Sequence, residues 1–404
     1  MTASHKDYPT ELALFVPDIT DVSTIKRSEA FLEHGFRLTV FGFRRQRYNR
    51  DYRPAYPFVP LGSTSDGRYL QRALALAAAL VRLGRHRDTF RRASVFYARN
   101  IDQLLLALAA RALGGSGARI VYEVLDIQPA FVARGFAGRA IRFVERLCLR
   151  RVALLVLSSP GFLRHFYRPV QAYDKPWFLL ENKLPPSILA CGSRGAALSE
   201  PAATPRFGYR WVVGYHGLIR GADTLDLIAR LARRLRGQVL FRFRGILTTV
   251  DRRRFNDLLG SHPNIVYDGD YVNPRDLARI YGEIDFAWAL DLENARENSR
   301  WLLPCRFYEA GFFGVPCLAA RGFEIGELVE AHDVGWTFAA PFEDEMVDFL
   351  KRVTPAQHAE RRQRLLALPQ SRFVAGEDIE ALCGLIDAGR HPVEAAAAPE
   401  TVYG

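Results

Sequence analysis

Arg306 and Glu309 stand three residues apart, so on a helix they leave the same face one turn from each other. Punctuation announces that helix: Pro304 suits a first helical position, and Gly314 followed by Pro316 is a stop. An arginine at a helix N-terminus opposes the macrodipole, and an anion held between the guanidinium and the free amides relieves the conflict. A phosphate suits that gap, and Glu309, one turn deeper, has acceptors for a neutral diol such as ribose. The plainer reading is a buried helix whose two charged side chains pair with each other. The neighbouring sequence favours the first reading, because Cys317-Leu318-Ala319-Ala320 is a short apolar strand. A helix feeding a buried strand is the unit of a doubly wound α/β sheet, and ligands collect at the loop ends of such sheets.

The elements needed to position this helix recur along the chain. Leu12–Val16 is a compact apolar run, Ser23–Glu33 has helical periodicity stopped by Gly35, and Leu38–Gly42 is a second strand, together a β-α-β unit. Strands are expected at Ser94–Tyr97, Arg119–Tyr122, Ala153–Leu157 and Trp177–Leu180, with helices at Tyr69–Leu83, Asp102–Ala112 and Ala137–Arg150. From Ser187 to Gly208 periodicity gives way to Ala, Ser, Gly and Pro, the composition of a linker. A second series then opens with Trp211–Tyr215 and continues through a helix at Ala222–Leu235 and strands at Val239–Phe243, Asn264–Tyr267 and Phe286–Ala289. The expected organisation is α/β: a Rossmann-like domain over 1–186, a linker over 187–208 and a second Rossmann-like domain over 209–370, the two facing a cleft. A helix over 371–389 is expected to pack back toward the first domain, followed by a disordered tail over 390–404.

At 404 residues, 49% of them hydrophobic, the chain can fill two cores. Its five cysteines are widely spaced, without CxxC, which argues against a disulfide framework or structural zinc and for a reducing cytosol. The polar segment Met1–Thr10 lacks a signal-type apolar region, and the longest apolar run, Ala73–Val81, is too short to span a bilayer. The net charge of +11 is uneven: residues 1–200 carry 30 Lys and Arg against 16 Asp and Glu, the remainder 25 against 28. A basic half attracts a polyanion, nucleic acid or an anionic membrane face. Arg44, Arg45, Arg47, Arg50 and Arg53, then Arg82, Arg85, Arg87, Arg91 and Arg92, bracket the Leu/Ala-rich helix at Tyr69–Leu83. That arrangement suggests interfacial docking; an arginine-rich solvated surface is the alternative. Nucleic-acid binding is disfavoured, since the arginines flank an apolar helix instead of interleaving with aromatics. A nucleotide-dependent oxidoreductase is disfavoured by the lack of G-x-G-x-x-G after any strand.

In their order, several segments resemble the GT-B nucleotide-sugar glycosyltransferases of bacterial surface-polysaccharide synthesis, the family 4-like group, with a succinoglycan-type flavour. Tyr215-His216-Gly217-Leu218-Ile219-Arg220-Gly221 is similar to the glycine-bearing loop after the first donor-domain strand. Tyr267–Val272 resembles the strand end near the nucleotide base, Ile284-Asp285-Phe286 the pair before a core strand, and Glu181–Pro185 an Asn-containing segment before the linker. Pro304–Pro316 resembles the motif that holds the nucleoside diphosphate.

The resemblance implies a metal-independent hexosyltransferase without a cofactor, taking a UDP-sugar or GDP-sugar donor and a polyprenyl-diphosphate-linked saccharide acceptor. It would work in the cytoplasm, peripheral at the inner face of the cytoplasmic membrane, with no nucleic-acid partner. Donor binding is expected from Gly217, Arg220, Tyr271, Arg306 and Glu309, with His216 nearby. Asp268-Gly269-Asp270 has metal-ligand spacing but lies at the base-binding strand end. Asp126, beyond the carboxyl end of the Arg119–Tyr122 strand, is the candidate base, against the simpler role of capping the turn through Gln128-Pro129. Asp18, Asp21 and Arg99, with Asp102, are expected on the acceptor side. Many retaining members carry a glutamate eight positions before the one matching Glu309; here that residue is Trp301, and Glu293 and Glu297 lack the spacing. An epimerase of the same architecture, or a nucleotide-binding homologue without transfer, stays open on that ground.

Overall fold

A computed structural model describes residues 10–45, 51–62, 69–192, 194–195 and 207–387, excepting the side chains of 69–74. Arg47, Arg50, most of the expected linker and the tail from residue 390 lie outside the described residues. The chain divides into two compact units, one reaching Leu180 and taking up the segment from Glu377, the other Glu181–Gly376.

In the first unit the strands are β1 (Glu11–Val16), β2 (Arg37–Phe43), β3 (Phe58–Gly62), β4 (Val95–Arg99), β5 (Arg119–Val124), β6 (Leu154–Leu157) and β7 (Trp177–Leu179). They form one parallel sheet in the order β3-β2-β1-β4-β5-β6-β7. Both faces are covered, which is why β1 is an unbroken apolar run. Leu12, Leu14 and Val16 join a core with Phe31, Tyr97 and the C-terminal helix Glu377–Asp387, which contributes Ile379, Leu382, Cys383 and Ile386. On the opposite face Phe15 stacks on Phe41 with centroids 5.1 Å apart. β3 escapes a reading by apolar runs because it contains Pro60; proline is tolerated there because β3 is the sheet's edge.

The second unit holds β8 (Trp211–Ile219), β9 (Val239–Leu247), β10 (Ile265–Tyr267), β11 (Phe286–Trp288), β12 (Cys317–Ala320) and β13 (Gly335–Phe338). They too are all parallel, ordered β10-β9-β8-β11-β12-β13. One expectation is corrected here. The segment after Tyr215 is not a loop, because β8 runs on to Ile219 and pairs residue by residue with β9. Gly217 and Gly245 lie opposite each other at φ 106° and 121°, and a Cβ on Gly245 would fall 2.0 Å from the Gly217 carbonyl oxygen. Glycine here permits an unusual strand end, and only Arg220-Gly221 turns the chain into the helix Ala222–Arg234. Asp285 ties the sheet together: its carboxylate accepts from Val212 N at 2.8 Å while its carbonyl meets His358 Nε2 at 2.8 Å.

Candidate active site at the carboxyl ends of the second sheet

The order of the second sheet reverses direction between β8 and β11, and a doubly wound sheet binds ligands outside the carboxyl ends at such a point. The helix Cys305–Phe312 begins there, one residue later than expected, with Pro304 as its extended N-cap and not its first helical residue. Arg306 Nη1 donates to the carbonyl of Trp288, the last residue of β11, at 3.0 Å. Its guanidinium carbon lies 4.4 Å from the centre of the Tyr215 ring. Burial disfavours the arginine's charge, yet Tyr215 and the Asp291 carboxylate outweigh it and hold the guanidinium more firmly protonated than usual. Among the described ion pairs none joins Arg306 to Glu309, so the mutual pairing that the spacing also allowed is not what forms.

Arg220 reaches the same crevice from the end of β8. Its Nε donates to Asp291 Oδ2 at 2.7 Å, and Glu293 Oε2 lies 3.7 Å away. Buried Asp291 receives Glu293 N on its other oxygen at 3.1 Å, which shapes the loop leaving β11. Tyr215 serves both arginines, its ring under Arg306 and its hydroxyl accepting from Arg220 N at 3.3 Å. Two guanidinium groups thus share the field of buried Asp291, with Glu293 beside Arg220, and both carry the fork of donors that suits a diphosphate.

Glu309 faces a separate, polar lining. Its carboxylate accepts from Asn273 Nδ2 at 2.9 Å and from the Tyr281 hydroxyl at 2.8 Å, leaving lone pairs for further donors. Tyr271 is half-buried close by, its phenol pushed well up by burial and by the Glu309 charge. Its hydroxyl lies 4.0 Å from where a side chain on Gly217 would begin. His216 is buried, edge-on to Tyr281 with centroids 4.9 Å apart, and neither ring nitrogen has a hydrogen-bond partner. Burial, with Arg244, Arg306 and Arg242 nearby, drives its pKa down to about 3, so the ring is neutral. Asp268 is committed elsewhere, its carboxylate accepting from Arg242 at 2.6 Å.

The first sheet has its own reversal between β1 and β4. There Arg99 pairs with Glu123 at 2.9 Å and donates to Thr24 and Ser23 at 3.0 and 3.1 Å. Arg27 reaches Glu123 from the other side at 2.8 Å. Burial opposes ionisation of Glu123, but the two arginines prevail and hold it at about 2. Asp21 caps the helix Val22–Glu33 through Ser23 N at 2.8 Å, and Asp18 closes a turn on Thr20 N at 3.0 Å, so both carboxylates serve backbone groups. Asp102 lies in the first turn of the helix Ile101–Gly114. Asn100, before that helix, holds φ 72°, a conformation uncommon for residues other than glycine. Asp126 is exposed just past β5 and borders a cavity of about 10 Å³ shared with Asn100, Tyr122 and Glu145.

No family model matches the chain. Over 373 residues, 92% of this chain and 92% of the relative, it is 31% identical to the succinoglycan biosynthesis protein ExoL of Rhizobium meliloti (strain 1021). The chain belongs to the family of the succinoglycan biosynthesis protein ExoL. Its fold is GT-B, as in a sucrose-phosphate synthase from Thermosynechococcus elongatus (TM-score 0.71, 13% identity, 93% of this chain and 98% of that one). HepE of Anabaena, solved with UDP and glucose, superposes at TM-score 0.66 with 15% identity over 94% of this chain and all (100%) of its own. The lipopolysaccharide glycosyltransferase WaaG does so at 0.64 with 14% identity, over 94% and 100%.

Within this ExoL-family chain, Gly217, Arg220, Tyr271, Arg306 and Glu309 all come to the carboxyl ends of β8 and β11 or the polar lining beside them. Asp18, Asp21, Arg99 and Asp126 gather at the corresponding end of the first sheet. Sequence reasoning missed Asp291, Asn273, Tyr281 and the part played by Tyr215. Asp291 and Asn273 reach their partners from loops and Tyr281 from the helix Leu277–Gly282, and none carries a local motif; Asp291, two residues past the Phe286–Ala289 run, was the one a strand-end rule could have flagged.

Proposed function

We propose that the chain moves a hexose from a UDP-sugar to a polyprenyl-diphosphate-linked saccharide at the inner face of the cytoplasmic membrane, building an exopolysaccharide repeat. The observation that carries this reading is the pair of arginines, Arg306 and Arg220, held around Asp291 at the switch point, one turn from Glu309. Departure of a nucleoside diphosphate concentrates negative charge on its phosphates, and fixed guanidinium groups stabilise that charge without reorganising. Gly217, lacking a side chain, lets a phosphate approach the strand end, Glu309 accepts the ribose hydroxyls, and Tyr271 borders the nucleoside. Neutral His216 offers a ring nitrogen to the donor without adding charge. The HepE structures, which hold UDP and UDP-glucose in the same fold, support uridine as the first base to try.

Asp126 is proposed as the base that takes the proton from the acceptor hydroxyl in an inverting transfer. Its exposure just beyond β5, at the carboxyl end of the first sheet, supports this role. The test is transfer of radiolabel from a panel of UDP- and GDP-sugars onto a bacterial lipid extract. One donor should give an organic-phase product, and Asp126→Asn should abolish turnover while UDP still binds. Equal loss of turnover and UDP binding would make Asp126 structural, and no product from any donor would reject the reaction.

A further inference from the structure

The helix Phe136–Leu149 of the first unit is packed inside out. Its buried side carries Gly138, Glu145, Cys148 and Leu149. Glu145 is sunk deepest, accepting from the Tyr122 and Tyr167 hydroxyls at 3.0 and 3.1 Å and from Gln171 Nε2 at 2.5 Å. Its outer side carries the large apolar groups, with Phe136 79%, Phe143 60%, Leu147 42% and Val144 38% exposed. At 3.6 residues per turn, Phe136, Phe143 and Leu147 form a single stripe along the side opposite Glu145. The three hydrogen bonds to Glu145 fix that rotation, so the stripe cannot roll inward without stranding a buried carboxyl.

Arginines frame the stripe. Residues 134–151 contain six arginines and one acidic residue, and that residue is the buried Glu145. Arg139, Arg146 and Arg150 stand exposed along the helix, with Arg134 and Arg151 exposed at its two ends. Arg142 instead turns back to the carbonyls of Phe131 and Ala133 at 2.6 and 2.9 Å, clamping the segment between Asp126 and the helix. A second copy of this surface would set arginine against arginine, which disfavours self-association. A plane of anionic headgroups over acyl chains matches both features: phosphates for the guanidinium groups and an apolar layer for the phenylalanines.

We propose that Phe136–Leu149 is an interfacial docking helix, seating Phe136, Phe143 and Leu147 at the acyl boundary of an anionic bilayer while Arg134, Arg139, Arg150 and Arg151 hold lipid phosphates. This deepens the proposed function and rests on it only for the acceptor being lipid-linked. It moves the membrane contact from the helix expected from sequence, Tyr69–Leu83, to one that follows Asp126 by ten residues. No described helix is long and apolar enough to cross a membrane, so the contact is one of surface seating.

The experiment is co-sedimentation of the full chain with vesicles of phosphatidylglycerol and phosphatidylethanolamine, against phosphatidylcholine alone, at low and high salt. Binding to the anionic vesicles is expected to weaken with salt and to fall about ten-fold or more in a Phe136→Ser/Phe143→Ser double variant. Unfolding temperature and UDP binding should stay unchanged. Arg139→Gln/Arg150→Gln should lessen the preference for anionic lipid. Unaltered vesicle binding by the phenylalanine variant overturns the proposal, as does loss of binding through Leu80→Ser/Val81→Ser instead, or preference for an oligonucleotide over vesicles. Absent sugar transfer with normal, phenylalanine-dependent docking would reject the transferase reading alone.

Discussion

Replacing Arg306 is the most direct probe of the proposed donor site, because its surroundings specify what each substitute retains. One arm of the guanidinium is committed to Trp288 O at 3.0 Å and its face rests on Tyr215, so the remaining edge is the part free to meet a phosphate. Arg306→Lys keeps a charge but has one nitrogen, which must choose between the carbonyl and the ligand. Arg306→Gln can still donate to Trp288 O but brings no charge. Losing one charge-assisted hydrogen bond costs about 1.5 to 3 kcal/mol, which is roughly a ten-fold to hundred-fold loss of UDP affinity. Lysine should fall near the lower figure and glutamine near or beyond the upper. The lost cation–π contact with the buried Tyr215 ring, about 2 kcal/mol for a desolvated pair, affects the free and bound protein alike and so lowers stability more than affinity. Titration calorimetry with UDP measures the effect, and thermal unfolding checks it. UDP at about a hundred times the wild-type Kd stabilises wild type by about 2.7 kcal/mol, and a variant bound a hundred-fold more weakly by only about 0.4 kcal/mol. A folded Arg306→Gln protein whose UDP affinity stays within about two-fold of wild type would refute the assignment.

Two other perturbations separate the parts of the molecule. Glu309→Gln should weaken UDP about ten-fold while leaving inorganic pyrophosphate unaffected, because the carboxylate is assigned to the ribose; equal loss of both ligands would move Glu309 to the phosphates or to the scaffold. Glu145 gives a pH signature: burial lifts its carboxyl from 4.5 to about 7, even against the hydrogen bonds from Tyr122, Gln171 and Tyr167. The native state therefore keeps a proton that the unfolded chain releases, so this group's contribution is full below pH 4.5 and is lost as pH rises through about 7. At most about 3 kcal/mol is at stake. Denaturant melts from pH 5 to 8 should show wild type losing stability and Glu145→Gln nearly flat; parallel slopes would refute the burial argument. Glu123, held at about 2 by Arg27 and Arg99, contributes in the opposite sense and only at lower pH, where its stabilisation is lost as acid protonates it.

Reading the residues in order found the elements that carry the proposed donor-site residues. Pro304, Gly314 and Pro316 bounded a helix, and the apolar runs before and after it defined strands, because these signals act within a few residues. Gly217 shows where local reading stops. As a sequence, Tyr215–Gly221 has the composition of a loop, yet Gly217 finds Gly245 across the register and the strand continues. Trp301 shows another limit, since a missing glutamate says which familiar arrangement does not apply without saying what replaces it.

The amino-acid order by itself determined the two α/β series, the basic first half, the helix carrying Arg306 and Glu309, and, through Arg119–Tyr122, the strand end at Asp126. Those come from periodicity, backbone restrictions of proline and glycine, and charge, all of which are properties of short segments. Tertiary structure alone decided that Arg306 and Glu309 do not pair with each other. Arg306 instead turns to Trp288 and Tyr215, and Glu309 to Asn273 and Tyr281. It also decided that Asp291 sits beside Arg220, 71 positions away, and that the Phe136–Leu149 helix hides a carboxyl and shows its phenylalanines. A side chain takes the orientation that satisfies its burial and hydrogen bonds together. When the partners come from separate strands and loops, only the assembled sheet brings them within reach.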